Sequence, residues 1–78
     1  MGTLDKLIKK VFNGSQVSYK EAERILLNLG FDLEICGSHH VFRKQGYNKT
    51  LSIKRRTQLL SYQVKDLKEV LIHHGYNL

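Results

Sequence analysis

The stretch FDLEICGSHHVFRKQGYNKTLSIK, residues 31–54, decides the fold. Before it, apolar residues recur with a helical period; from Phe31 onward they alternate. Phe31, Leu33 and Ile35 alternate with Asp32, Glu34 and Cys36, the pattern of a strand buried on one face. Gly37-Ser38 reads as a turn and His39 to Lys44 as a second strand. Gln45-Gly46-Tyr47-Asn48 reads as another hairpin turn. Lys49 to Lys54 follows as a third strand, with Leu51 and Ile53 inward and Thr50, Ser52 and Lys54 outward. The spacing predicts three antiparallel strands.

Helices flank this sheet on both sides in the chain. Leu4, Leu7, Ile8, Val11 and Phe12 fall at i, i+3, i+4, i+7 and i+8, with Thr3 as N-cap and Asn13-Gly14-Ser15 as a stop. Ala22, Ile25, Leu26 and Leu29 form a second helical face. Ser18 and Glu21 make a capping box before it, and Gly30 suits the left-handed position that closes it. Arg55 to Ser61 reads as a loop. A last helix from about Tyr62 to His74 carries Val64, Leu67, Val70, Leu71 and His74 on one face, with Gly75 beyond. The expected fold is therefore α+β in the order α-α-β-β-β-α. A three-stranded sheet needs one face covered. The second and last helices are expected on the face bearing Phe31, Leu33, Ile35, Leu51 and Ile53. Asp32, Glu34, Cys36, Thr50, Ser52 and Lys54 are expected to line the open face. The whole chain, 1–78, reads as one domain, with 17–75 as its core and 1–16 as an additional helix and loop at the edge.

Composition removes several function classes. Seventy-eight residues allow a single domain without room for a large cofactor fold, so no cofactor is expected. No apolar run reaches the roughly 18 residues of a membrane span, and residues 1–12 lack the apolar core of a signal peptide. No membrane association is expected. Cys36 is the lone cysteine, which excludes an internal disulfide and fits a reducing, cytoplasmic setting. The formal charge is +6, from 13 Lys and Arg against 7 Asp and Glu. Seven of those cations, Arg43, Lys44, Lys49, Lys54, Arg55, Arg56 and Lys65, fall in a window from Ile35 to Lys65 that holds no acidic residue. Clustered cations on strands favour a polyanion such as nucleic acid, through release of its counterions. A membrane surface would more often be met by a cationic amphipathic helix. Lys54-Arg55-Arg56 reads as a phosphate clamp.

The adjacent histidines must point to opposite faces of their strand. Phe42 is the largest apolar residue of that strand and should face inward. Alternation then takes His40 inward as a structural imidazole and leaves His39 and Arg43 outward near Lys54. Val41 is left on the open face. The opposite register, with His39 and Val41 inside, remains open, and His40 is then the candidate for chemistry. Cys36, His39, His40, His73 and His74 can be written as a zinc set, but neighbouring His on a strand diverge and zinc needs convergent ligands. No metal site is expected. His73 and His74 instead suit the negative end of the last helix. A Cys36–His39 nucleophilic pair lacks a visible oxyanion site. Tyr47, Tyr62 and Tyr76 are able to stack on bases, but each reads first as a loop anchor or core-edge residue, with Tyr62 packing at the start of the last helix.

The Leu29-Gly30-Phe31 strand entry, followed by Gly37-Ser38-His39-His40-Val41-Phe42, resembles the HicA family of bacterial toxin ribonucleases. Tyr62-Gln63-Val64-Lys65 is similar to a variant of that family's closing helix. The resemblance spans about residues 17–75. It implies a double-stranded-RNA-binding-domain-like fold, cleavage of messenger RNA, and neutralisation by a HicB-type antitoxin partner. It maps the family's catalytic histidine onto His39 and its preceding glycine onto Gly37. Two departures stand out: many members carry Pro and His near the end of the third strand, where this chain has Lys54-Arg55-Arg56, and the first helix is absent from the shortest members. The residue types permit the chemistry on their own terms. A histidine near its ordinary pKa of about 6.5 can take the proton of a ribose 2′-OH. Cations nearby offset charge on the phosphoryl oxygens, and glycine lets the backbone approach a phosphate. His39 is the catalytic candidate. Gly37, Ser38, Arg43, Lys44, Lys54, Arg55 and Arg56 are the candidate RNA contacts.

Overall fold

The capping chemistry read around Ser18, Glu21 and Gly30 forms as expected in a computed structural model, which describes residues 3–54 and 58–76, Thr3 by its backbone alone; Thr3, expected as an N-cap, is instead the first residue of its helix. Three helices, α1 (Thr3–Asn13), α2 (Tyr19–Asn28) and α3 (Ser61–His73), flank in the chain strands β1 (Asp32–Cys36), β2 (His39–Lys44) and β3 (Tyr47–Lys54). The fold is α+β in the order α-α-β-β-β-α. At the start of α2, Glu21 N–H donates to Ser18 Oγ at 3.2 Å and Ser18 N–H donates to Glu21 Oε1 at 3.0 Å. At its end, Gly30 adopts φ +95°, and Gly30 N–H and Phe31 N–H return to Leu27 O and Leu26 O. That pair of bonds is a Schellman closure, and it turns the chain into β1. The same pattern ends α3, where Gly75 and Tyr76 amides donate to Ile72 O and Leu71 O.

The sheet is antiparallel in the order β1-β2-β3. Its register sets two faces. Leu33–Phe42–Leu51 and Ile35–His40–Ile53 form rows on one side. Glu34–Val41–Ser52 and Cys36–His39–Lys54 form rows on the other. Phe42, Leu51 and Ile53 are buried with Ile25 and Leu26 of α2 and Leu67, Val70 and Leu71 of α3 in one core cluster. Asp32, Glu34, Cys36, Thr50, Ser52 and Lys54 are all exposed. The open face is therefore the expected one.

Three local expectations need correction. Ile35 lies on the helix side of the sheet but is 62% exposed, because β1 is an edge strand and that end of it is not covered. β3 begins at Tyr47 rather than Lys49, so the second hairpin loop shortens to Gln45-Gly46, with a register irregularity between Phe42 and Lys44. Most consequential, α1 is not an attachment at the edge. Leu7, Ile8 and Val11 are buried in the common core, and α1 packs against both α2 and α3. Lys10 of α1 also grips Glu21, with Nζ 2.7 Å from Oε2. No helix among the described residues is long and apolar enough to cross a membrane.

Candidate nucleic-acid interface

The position of His39 follows from a tight turn. Cys36 and His39 pair across a two-residue loop, Gly37 has φ +63°, and no residue other than glycine has positive φ among the described residues. Positive φ at the first loop position alone is the type II′ hairpin, whose twist matches that of the flanking strands. A side chain at position 37 would be strained there, which explains the glycine without reference to a ligand. The turn delivers His39 to the open face, directly opposite Lys54 of β3. Directly opposed residues have Cβ atoms roughly 5 Å apart, so one phosphate can touch both side chains. Ser52 lies in the next row on the same face.

The first turn of α3 closes the other side of this site. His39, Ser52, Lys54, Leu60, Tyr62 and Gln63 line a shallow cleft of about 390 Å³. Its wall is strapped in place: Leu59 N–H donates to Val17 O at 2.8 Å, Ser18 and Gln58 form an isolated bridge, and Gln63 Oε1 accepts Leu60 N–H at 2.8 Å. Gln63, only 5% exposed, acts as a structural clamp that the sequence pattern concealed among the polar positions of the helix. Leu60 holds the N-cap position without a side-chain hydrogen bond. A Ser, Thr, Asp or Asn there typically contributes about 1 kcal/mol. The amides of Ser61 and Tyr62 have no upstream carbonyl within the helix, and the positive end of α3 opens beside the cleft. Imidazole, ammonium and helix terminus together favour an anion.

The candidate cations separate into different roles. Lys54 makes no ion pair among the described residues, and neither it nor His39 makes a side-chain hydrogen bond there. Arg43 shares the open face but is bound to Glu34, Nη1 to Oε1 at 2.5 Å. Lys44 is on the opposite face. Its side chain passes over Gly30 at the end of α2, and its Nζ lies 2.8 Å from His74 Nε2 at the end of α3. His74 Nδ1 is 2.8 Å from Val70 O, which can only accept. The proton therefore sits on Nδ1, and Nε2 accepts from the Lys44 ammonium. Lys44 is thus held at two helix C-termini, where a cation is favoured. Tyr47 packs there too, its ring centroid 5.7 Å from Phe31 and 4.8 Å from His73. Burial raises the Tyr47 phenol above its ordinary range and keeps it protonated. Arg55 and Arg56 lie outside the described residues. Gly37 and Ser38 flank His39 in the turn.

His40 faces the helices, as alternation with Phe42 requires. Its Nδ1 is hydrogen-bonded to the Tyr19 hydroxyl, the two rings meet edge to face with centroids 4.9 Å apart, and Tyr19 also donates to Glu23 Oε2 at 3.2 Å. Tyr19 is buried in the first turn of α2. Nothing in the sequence singled it out, since the histidine it meets lies 21 residues away. The paper zinc set is scattered: Cys36 and His39 share the open face, His40 faces the helices, and His73 and His74 meet Tyr47 at the far end of α3. Among the described residues no group of three His, Cys, Asp or Glu converges on a metal position. Tyr62 corrects another reading. It does not pack at the start of α3 but stands 61% exposed over the cleft.

These features define a small α+β domain whose open sheet face carries a shallow cleft lined by an imidazole, an ammonium and the first turn of a helix. No family model, no curated protein and no solved structure matches the chain.

Proposed function

We propose that this domain is a metal-independent endoribonuclease acting on messenger RNA, the toxin of a HicA-type pair restrained by a HicB-type antitoxin. The observation that carries the reading is the direct pairing of His39 with Lys54 across β2 and β3, in a cleft at the positive end of α3. The imidazole removes the proton of a 2′-OH; the oxygen bonds to the adjacent phosphorus; the bond from phosphorus to the 5′-oxygen breaks. Water protonates the departing 5′-oxygen. The products carry a 2′,3′-cyclic phosphate and a 5′-hydroxyl. Lys54 and the helix end offset the charge gathering on the phosphoryl oxygens. The resemblance around Gly37-Ser38-His39 and the helix-backed three-stranded sheet support a double-stranded-RNA-binding-domain-like fold, and the lone Cys36 supports a reducing, cytoplasmic setting.

One observation favours a second reading, a non-catalytic RNA-binding module. Among the described residues nothing hydrogen-bonds the His39 ring and orients it, as a general base is commonly oriented. Incubating the wild-type and His39→Ala proteins with messenger RNA in EDTA separates the two. Cleavage by the wild type alone supports the nuclease. Retarded but intact RNA with both proteins supports the binding module, and equal cleavage by both overturns the role of His39.

A further inference from the structure

We propose that Tyr62 and Leu60 form a subsite for an unpaired nucleobase beside the phosphate position at His39, so that the ligand is single-stranded rather than duplex nucleic acid. The inference rests on the reading of the cleft as a nucleic-acid site but not on catalysis by His39.

Anion binding accounts for His39, Lys54 and the end of α3. It does not account for the two apolar side chains in the same cleft. Tyr62 is 61% and Leu60 40% exposed. Neither belongs to the core or packs against it as a partly buried neighbour. Leu60 moreover occupies an N-cap position where a small polar residue would serve the helix better. An aromatic face and an aliphatic edge next to a phosphate position match the chemistry of one nucleotide, whose base is an apolar disc linked through a sugar to that phosphate. Stacking of bases on aromatic side chains is a general mode of single-strand recognition. A duplex keeps its base faces covered by their neighbours and has nothing to offer such a platform. Ser52, also in the cleft, carries a hydroxyl able to donate to or accept from a ribose 2′-OH or a base edge.

Hydrogen bonds anchor the backbone that carries the platform. Gln63 pins the Leu60 amide, and Leu59 is hydrogen-bonded to Val17 in the segment that leads into α2. An anchored backbone lowers the ordering entropy that binding has to overcome. Among the described residues, the other exposed large apolar ones, Leu27, Ile35 and Ile72, do not line this cleft.

The chain contains no tryptophan, so Tyr62→Trp places a single indole reporter at the subsite, with thermal melting as the check on folding. The probes are an eight-nucleotide single-stranded RNA, the duplex of the same sequence, and inorganic polyphosphate, each in EDTA. The expected result is saturable quenching of the indole by the single strand, at least tenfold weaker response to the duplex, and none to polyphosphate. Tyr62→Ala should weaken single-strand binding about tenfold or more, and Tyr62→Phe should restore it. An indole unresponsive to single-stranded RNA overturns the subsite, whether or not the RNA binds elsewhere. Equal binding of single strand and duplex by the wild type also overturns it. Quenching without cleavage removes the nuclease reading and leaves the subsite standing, whereas cleavage without quenching does the reverse.

Discussion

The two ends of α3 make opposite use of similar side chains. At the N-terminal end, His39 and Lys54 stand on the open sheet face with no carboxylate or backbone partner among the described residues. At the C-terminal end, Lys44, His73 and His74 also bring two imidazoles and an ammonium together, yet these groups are committed. Lys44 donates to His74, His74 donates to Val70 O, and Tyr47 packs against both rings. The helix macrodipole explains the division. Its positive pole adds to Lys54 in attracting an anion; its negative pole, joined by that of α2 near Gly30, consumes the charge of Lys44. A basic residue is available to an anion where the fold has left it nothing else to neutralise.

The sharpest way to break this comparison is at its histidines. His39→Ala is expected to lower cleavage about 100- to 10,000-fold, with the melting temperature unchanged, when cut RNA is quantified in EDTA. His40→Ala should do the converse. Losing its hydrogen bond and ring contact with Tyr19, whose hydroxyl keeps Glu23, costs about 0.5–1.5 kcal/mol, visible as a lower denaturant midpoint, while cleavage per folded molecule stays within a few-fold. If His40→Ala abolished cleavage in folded protein, the faces would have been assigned to the wrong roles.

A smaller effect separates the two lysines. Lys54→Met should reduce the slope of log affinity against log salt by about 0.7–0.9, the contribution of one phosphate contact. Lys44→Met should leave that slope alone and instead remove up to about 1 kcal/mol of helix-end stabilisation, or roughly 4–8 °C in a domain of this size. Equal salt slopes in the two variants would erase the distinction between the ends.

The smallest expected effect lies at neither end and calibrates the others. The Lys10 ammonium, with help from the Ser18 amide, holds the Glu21 carboxyl below its ordinary value of about 4.5. A depressed carboxyl contributes stability above its ordinary pKa and loses it as the pH falls through its folded value. The contribution is about 0.5 kcal/mol, since Lys10 is partly exposed and screened. Glu21→Gln should therefore melt slightly below the wild type at pH 7, and the gap should close as the pH drops below about 4.5. A gap that persisted at pH 3 would show that packing, not charge, joins α1 to α2.

Much of the fold was legible in the chain because its signals are local. Ser18 and Glu21 are three residues apart, Gly30 closes the turn of its own helix, and the size of Phe42 orients its immediate neighbours His40 and Val41. The failures have a common cause. Ile35 carries an inward pattern, but periodicity says nothing about how far the helices extend over an edge strand. Tyr62 carries the pattern of a helix start, but its exposure depends on where β2 and β3 end beside it. The first helix was legible as a helix and not as a wall of the core, because its partners in α3 lie more than fifty residues away.

The sequence by itself determined the order of elements and the caps of α2, and it favoured the strand register that the structure then selected, with His39 outward. Each of these is set by contacts within about four residues or by the alternation of side chains along an extended backbone. Only the tertiary structure decided which cations remain available. That outcome depends on which helix pole, carboxylate or imidazole comes to rest beside each one, and Lys44 and His74 meet across 30 residues of chain. Folding spends some of the +6 charge on its own helix ends and ion pairs, and what is left at Lys54 beside His39 forms the candidate site.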